Sequence, residues 1–176
     1  DGRFSTFCGN GSRCASAYVS RKLGLDTLNF IAADGPHTAW IKKDYVSVKM
    51  QDIRDFDQTN LGPLIQSGSP HLIREVEDLA TVDVFNEGKK LRHEFSPEGA
   101  NVNFVNNKNG VLNIATYERG VEDKTFSCGT GITASPGYAE KCAFHLAKIT
   151  GKPIVMSKDL IAATSSQQGF VIYSSA

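Results

Sequence analysis

Cys8-Gly9-Asn10-Gly11-Ser12-Arg13-Cys14, near the start of the chain, and Cys128-Gly129-Thr130-Gly131, far along it, are two versions of one phrase: a cysteine, a Gly-x-Gly turn, then a helical run. After the first turn, Ala15, Tyr18, Val19 and Leu23 recur at helical spacing and Gly24 offers a left-handed stop, which predicts an amphipathic helix over Ser12 to Leu23. After the second, Ala139, Cys142, Ala143, Leu146 and Ala147 keep the same spacing to near Thr150. A repeated phrase of this kind predicts an α/β (α+β) chain of two pseudo-symmetric half-domains. Each would be a mostly antiparallel sheet around a central helix, with the two turns meeting in a cleft between them. The polar stretch Asp52 to Gly68 reads as the connection, giving halves at 1–58 and 59–176.

Short β-branched and aromatic runs fill the spaces. Leu28 to Ile31, Thr38 to Ile41 and Tyr45 to Met50, broken by Asp34-Gly35-Pro36 and Lys42-Lys43-Asp44, predict an antiparallel meander. Beyond Gly68 the pattern predicts a strand at Leu72 to Val76, a helix at Val82 to Leu91 and a strand at Asn101 to Val105. A hairpin turn at Asn106 to Gly110 and a strand at Leu112 to Tyr117 follow. Ile154 to Met156, Leu160 to Ala163 and Phe170 to Tyr173 read as closing strands. Trp40, Phe104, Cys14 and Cys142 read as core. His37, His93 and His145 have no partner pattern.

Composition narrows the function. The 19 basic and 19 acidic side chains cancel, so no net charge draws the chain to nucleic acid or to a membrane surface. No apolar run approaches the roughly 20 residues that span a bilayer. Four cysteines without a Cys-x-x-Cys pair suit neither a disulfide scaffold nor a zinc site, and fit a reducing cytoplasm. The chain opens without Met close to a turn motif, and Leu28 to Ile31 and Tyr45 to Met50 carry apolar residues on both parities. Both features lead to the expectation that upstream residues complete the first sheet.

A cysteine just before Gly-x-Gly at a helix start lies where unpaired N–H groups and the positive end of the helix dipole favour anions, which predicts a depressed thiol pKa and a carboxylate site. The plainer reading is a buried cysteine beside a helix cap. Two opposed thiols suit removal of a proton from one face of a carbon and its return from the other. The weak acidity of a proton α to a carboxylate then calls for preorganised N–H donors around the enediolate.

Asp1-Gly2 and Cys8 to Cys14, then Gly68-Ser69-Pro70-His71, Gly99-Ala100-Asn101-Val102-Asn103-Phe104-Val105 and Tyr117-Glu118-Arg119-Gly120 with Cys128 to Gly131, resemble diaminopimelate epimerase over nearly the whole chain. The resemblance implies cofactor-independent epimerisation at the α-carbon of diaminopimelate, in lysine and peptidoglycan precursor supply. Cys8 and Cys128 would be the catalytic thiols, with His71 and Glu118 close to the reacting centre. Gly9, Asn10, Gly129 and Thr130 would present N–H groups to the carboxylate, and Asn101, Glu118 and Arg119 would hold the distal amino acid end. The implied partner is a small amino acid, with no metal, nucleic acid or membrane, and a homodimer is left open. Departures from the family pattern are Ser69 for an asparagine, Ser157-Lys158-Asp159 for Gly-Gly, Ser174-Ser175 for Gly-Pro, and Pro136 in the second helical run. Two rivals stand beside this reading: a racemase or epimerase of proline-like substrates on the same fold, and a non-catalytic relative that binds a small molecule.

Overall fold

The computed structural model describes residues 5–43, 45–53, 56–95, 97–108, 111–125 and 128–135. Outside them lie Asp1-Gly2, Asn109-Gly110, Pro136, Cys142, the helical run toward Thr150 and the three closing strands. The architecture is mixed α+β, with two sheets and few helices.

Helix α1, Gly9–Leu23, starts three residues earlier than the apolar spacing predicts, because Cys8 itself is the N-cap. It ends at Gly24, whose φ of 67° lets its N–H reach the Ser20 carbonyl at 2.8 Å. The antiparallel meander follows as β1 (Thr27–Ala32), β2 (Gly35–Lys42) and β3 (Tyr45–Val48), and α1 packs against all three. The expected helix stripe is not the packed one. Ser16 and Gly9 are the buried residues of α1, while Tyr18 and Leu23 are more than 60% exposed. Among the described residues, Ala15 and Val19 of α1 border a groove of about 560 Å³ with Leu28 and Phe30 of β1. Trp40, expected in the core, is exposed on β2, as are Ile31 on β1 and Tyr45 on β3. Cys14 is likewise exposed on α1 rather than buried.

The second sheet has six strands in chain order: β4 (Phe56–Thr59), β5 (Gly62–Gln66), β6 (Pro70–Glu75), β7 (Asn101–Lys108), β8 (Val111–Glu118) and β9 (Asp123–Thr125). The stretch read as a connection thus holds two strands. Pro63 escapes the usual bar on proline in a sheet because it pairs only with Gln58 of β4, beyond the β5–β6 register. All pairings are antiparallel except β6 with β7, which run parallel with His71 opposite Asn101. A 3-10 turn, Leu79–Thr81, and helix α2, Val84–Arg92, make that crossover. Asp83 caps α2 by accepting from the Asn86 N–H at 3.0 Å.

Strand alternation gives this sheet two different faces. One carries Leu72, Val102, Phe104 and Tyr117, packed with Val84 of α2 and Leu91 into the larger core. The other is apolar around Ile65, Ile73, Val105 and Ala134. At its opposite end, by the same parity, it presents His71, Asn101, Asn103, Thr116 and Glu118. Helical residues 129–135 lie on this second face and cover the polar end.

Candidate active site

Two helix starts meet at the centre of the molecule. Cys8 stands in extended conformation before α1, its Sγ accepting from the Gly11 N–H at 3.4 Å. Cys128 directly precedes helical residues 129–135, its carbonyl accepting from the Ile132 N–H at 2.9 Å. A methyl group built on Gly9 would lie 3.7 Å from the Gly129 Cα, so the two Gly-x-Gly turns touch.

The thiols differ in setting. Cys8 is exposed, whereas Cys128 is buried with its Sγ 3.4 Å from Thr130 Oγ1. Burial pushes the Cys128 thiol up, and the nearby Glu118 carboxylate and Cys8 add to the rise against hydrogen bonds from Thr130 and Gly131 that lower it. The shift runs against the expectation of a depressed pKa at a helix start, because desolvation of the thiolate outweighs the hydrogen bonds from Thr130 and Gly131.

Beneath Cys128 lies a buried polar cluster. His71 Nε2 is 2.8 Å from Thr130 Oγ1, 3.0 Å from Ser69 Oγ and 3.4 Å from Asn101 Nδ2, and its Nδ1 is 3.3 Å from Asn103 Oδ1. The ring is fully buried, and desolvation lowers its pKa to about 4, so it is neutral at pH 7. The Ser69 hydroxyl donates to Thr130 Oγ1 at 3.0 Å and accepts from Asn101 Nδ2 at 3.2 Å. The serine that departs from the family pattern is therefore an inner member of the cluster.

Asn101 spends its carboxamide on the protein. Its Oδ1 accepts from the Arg119 backbone N–H at 2.9 Å, and its Nδ2 donates to the Pro70 carbonyl at 3.0 Å. The Arg119 guanidinium donates to Glu98 at 3.1 Å and to Thr6 Oγ1 at 2.7 Å, tying the end of β8 to the segment before Cys8. Asn10 is exposed on the first turn of α1 and accepts from Arg13. Glu118 ends β8 on the same face as Thr116 and acts on Cys128 through its charge.

Several members carry no motif of their own. The Ser67-Gly68-Ser69 turn joins both halves of the site: the Gly68 carbonyl accepts from the Phe7 N–H at 2.9 Å, and Ser67 Oγ donates to the Thr130 carbonyl at 2.8 Å. Phe7, the neighbour of Cys8, stacks on His37 with ring centroids 4.2 Å apart, and His37 is held by Asp34 Oδ1 and the Lys49 carbonyl, each at 2.8 Å. His37 therefore anchors the Cys8 segment, a role its sequence context did not announce. Asn103 had one available signal, its place at the parity of Val105, opposite to that of Val102 and Phe104, within the Gly99 to Val105 motif.

The arrangement is that of an α+β protein with two cysteines and a neutral imidazole gathered where two helix starts touch. Residues 64–142 match the family model described as diaminopimelate epimerase. A diaminopimelate epimerase of Flavobacterium psychrophilum is 41% identical over 141 residues, covering 77% of this chain and 55% of its own length. That of Chlorobaculum tepidum is 37% identical over 163 residues, covering 85% and 62%. That of Chlamydia trachomatis serovar L2 is 36% identical over 150 residues, covering 77% and 54%. Over the length it spans, the chain is similar to diaminopimelate epimerases. It spans little more than half the length of the curated relatives it matches. Among solved structures, a phenazine biosynthesis protein PhzF family member of Enterococcus faecalis overlays 84% of this chain and 59% of its own at 15% identity, with a TM-score of 0.42.

Proposed function

We propose that the protein carrying this chain is an isomerase that epimerises diaminopimelate at its α-carbon with two thiols and no pyridoxal group, in lysine and peptidoglycan precursor supply. The observation that carries this reading is the contact of the Gly9 and Gly129 turns, which brings two cysteine-capped helix starts to one place. One cysteine, as thiolate, takes the α-proton from one face of the carbon. The other, as thiol, returns a proton to the opposite face, so each turnover inverts the centre and exchanges the protonation states of the pair. Burial pushes the Cys128 thiol up, which suits it to the proton donor's part. Backbone N–H groups at Gly9, Asn10, Gly129 and Thr130 would hold the reacting carboxylate and the enediolate that grows from it. Glu118 and Arg119, with Asn101 behind them, would meet the distal amino acid end. In this reading the chain divides near residue 58 into two half-domains around the cleft, the enzyme works in the cytoplasm, and a homodimer is its simplest assembly.

The test is incubation in D2O with either meso- or LL-diaminopimelate, following deuterium at the α-carbon by mass and the isomer ratio by chiral separation. Inversion with one solvent deuteron per event is the expected result. Absence of exchange from an intact, reduced protein would remove the proposal. The internal engagement of Asn101 and the serine at position 69 favour one second reading, a proline-like substrate lacking the distal group. Exchange into proline but not diaminopimelate would select it.

A further inference from the structure

Asn103 is fully buried on β7, and its carboxamide can be oriented from its partners. One end is 3.2 Å from the Gly131 carbonyl oxygen and 3.2 Å from Ser135 Oγ. A carbonyl oxygen only accepts, and Ser135 spends its own hydroxyl proton on that same carbonyl at 3.0 Å, so this end is the NH2. The other end is therefore Oδ1, which accepts from Thr116 Oγ1 at 3.0 Å and faces His71 Nδ1 at 3.3 Å. An oxygen that only accepts must be met by an N–H, so Nδ1 carries the proton of the neutral ring. His71 Nε2 is left as an acceptor within reach of the Thr130 and Ser69 hydroxyls, 2.8 and 3.0 Å away.

We propose that Asn103 is a positioning residue that fixes His71 as its Nδ1–H tautomer, so that the Thr130 hydroxyl can serve Cys128 in both its thiol and its thiolate forms. This rests on the reading of Cys128 as an acid and base. While Cys128 is a thiol, its S–H donates to Thr130, and Thr130 donates to Nε2. When the proton has left for the substrate, Thr130 turns its own proton to the thiolate and Ser69 takes over at Nε2. No O–H or N–H bond breaks; two hydroxyls rotate. An Nε2–H ring would instead donate to Thr130 permanently, aim that hydroxyl at the sulfur at all times, and favour the thiolate alone. Packing supports the constraint: a methyl group on Gly131 would press to 3.0 Å from Asn103 Oδ1 and 3.2 Å from His71 Cε1.

The test is long-range 1H–15N NMR on the full protein with 15N-labelled histidine, the His71 signals being assigned by their loss in His71→Gln. The expected spectrum has a pyrrole-type Nδ1 and a pyridine-type Nε2 for His71. Asn103→Leu should lose the pure Nδ1–H form, whereas Asn103→Asp, which keeps an acceptor at Nδ1, should retain a proton there. Should the leucine variant not fold, the parent and aspartate spectra still decide. An Nε2–H ring in the parent, a folded Asn103→Leu with an unchanged tautomer, or an aspartate variant without a proton on Nδ1 each overturns the proposal. The readout is independent of turnover: an Nδ1–H ring in a protein that exchanges no substrate proton would count against the epimerase reading and leave the tautomer assignment standing.

Discussion

Gly9 and Gly129 touch, and a methyl group on either would lie 3.7 or 3.8 Å from the other's Cα. That is ordinary van der Waals distance, so alanine fits and a branched side chain does not. Mild oxidation should link Cys8 to Cys128, found by peptide mapping, because each cysteine directly precedes one of these touching glycines and Cys8 is near enough to act on the Cys128 thiol. Gly9→Val should abolish that cross-link by wedging the turns apart. A parent protein that oxidises only through Cys14 would show that the cysteines beside these glycines do not meet.

Cys8→Ala and Cys128→Ala should each lower solvent exchange by about 10²- to 10⁴-fold, the usual contribution of a positioned acid or base. Cys14, exposed on α1, should tolerate alanine with activity and stability nearly unchanged. Equal rates in all three variants would separate the thiols from the chemistry.

His71 should make the protein acid-sensitive. Its pKa is 6.5 in the unfolded chain and about 4 when folded, so between these values the unfolded chain binds more protons. Stability that is fully present above about pH 6.5 is then lost as pH falls through 4, by about 3 kcal/mol. Urea midpoints measured across that window should fall for the parent, and His71→Gln, which cannot take up the proton, should flatten the slope. Parallel slopes would mean the imidazole is not desolvated.

Gly68 has no room for a side chain: its φ is +95°, and a Cβ would lie 2.6 Å from Asp34 Oδ2 and 2.9 Å from the Phe7 Cβ. Gly68→Ala should cost about 1–3 kcal/mol from overpacking and strain. It should also loosen the Phe7 N–H bond, so that the Cys8 segment gains protease sensitivity. Unchanged denaturation and digestion would refute the role given to this turn as the link between the two halves of the site.

The two cysteine turns were legible because glycine before a helix is a strong local signal, β7 because Val102 and Phe104 alternate with asparagines, and β6 and β8 because short apolar, β-branched runs are bounded by turn residues. Strands β4, β5 and β9 were not, for the first two fall in a polar stretch broken by Gly62-Pro63 and Asp123-Lys124-Thr125 is too short to show an alternating pattern. The outward position of Tyr18 and Leu23 could not be read from periodicity, which identifies a stripe without saying what covers it. The His37 stack on Phe7 and the place of Asn103 depend on residues far apart in the chain. Spacing carries no information about such contacts, and the sign of the Cys128 shift depended on burial that no local motif specifies.

The parallel pairing of His71 with Asn101 has a consequence for how the molecule comes together. Parallel neighbours cannot be joined by a hairpin, so this pair closes across the long connection that holds the 3-10 turn and α2. Non-local pairings of this kind are slow to form, since the entropy of closing the loop comes before the contacts that reward it. The imidazole thus reaches its dry, neutral environment late in folding. Competence should rise after most helical signal has returned, and a refolding chain passes through a stage in which its two thiols are still strangers to one another.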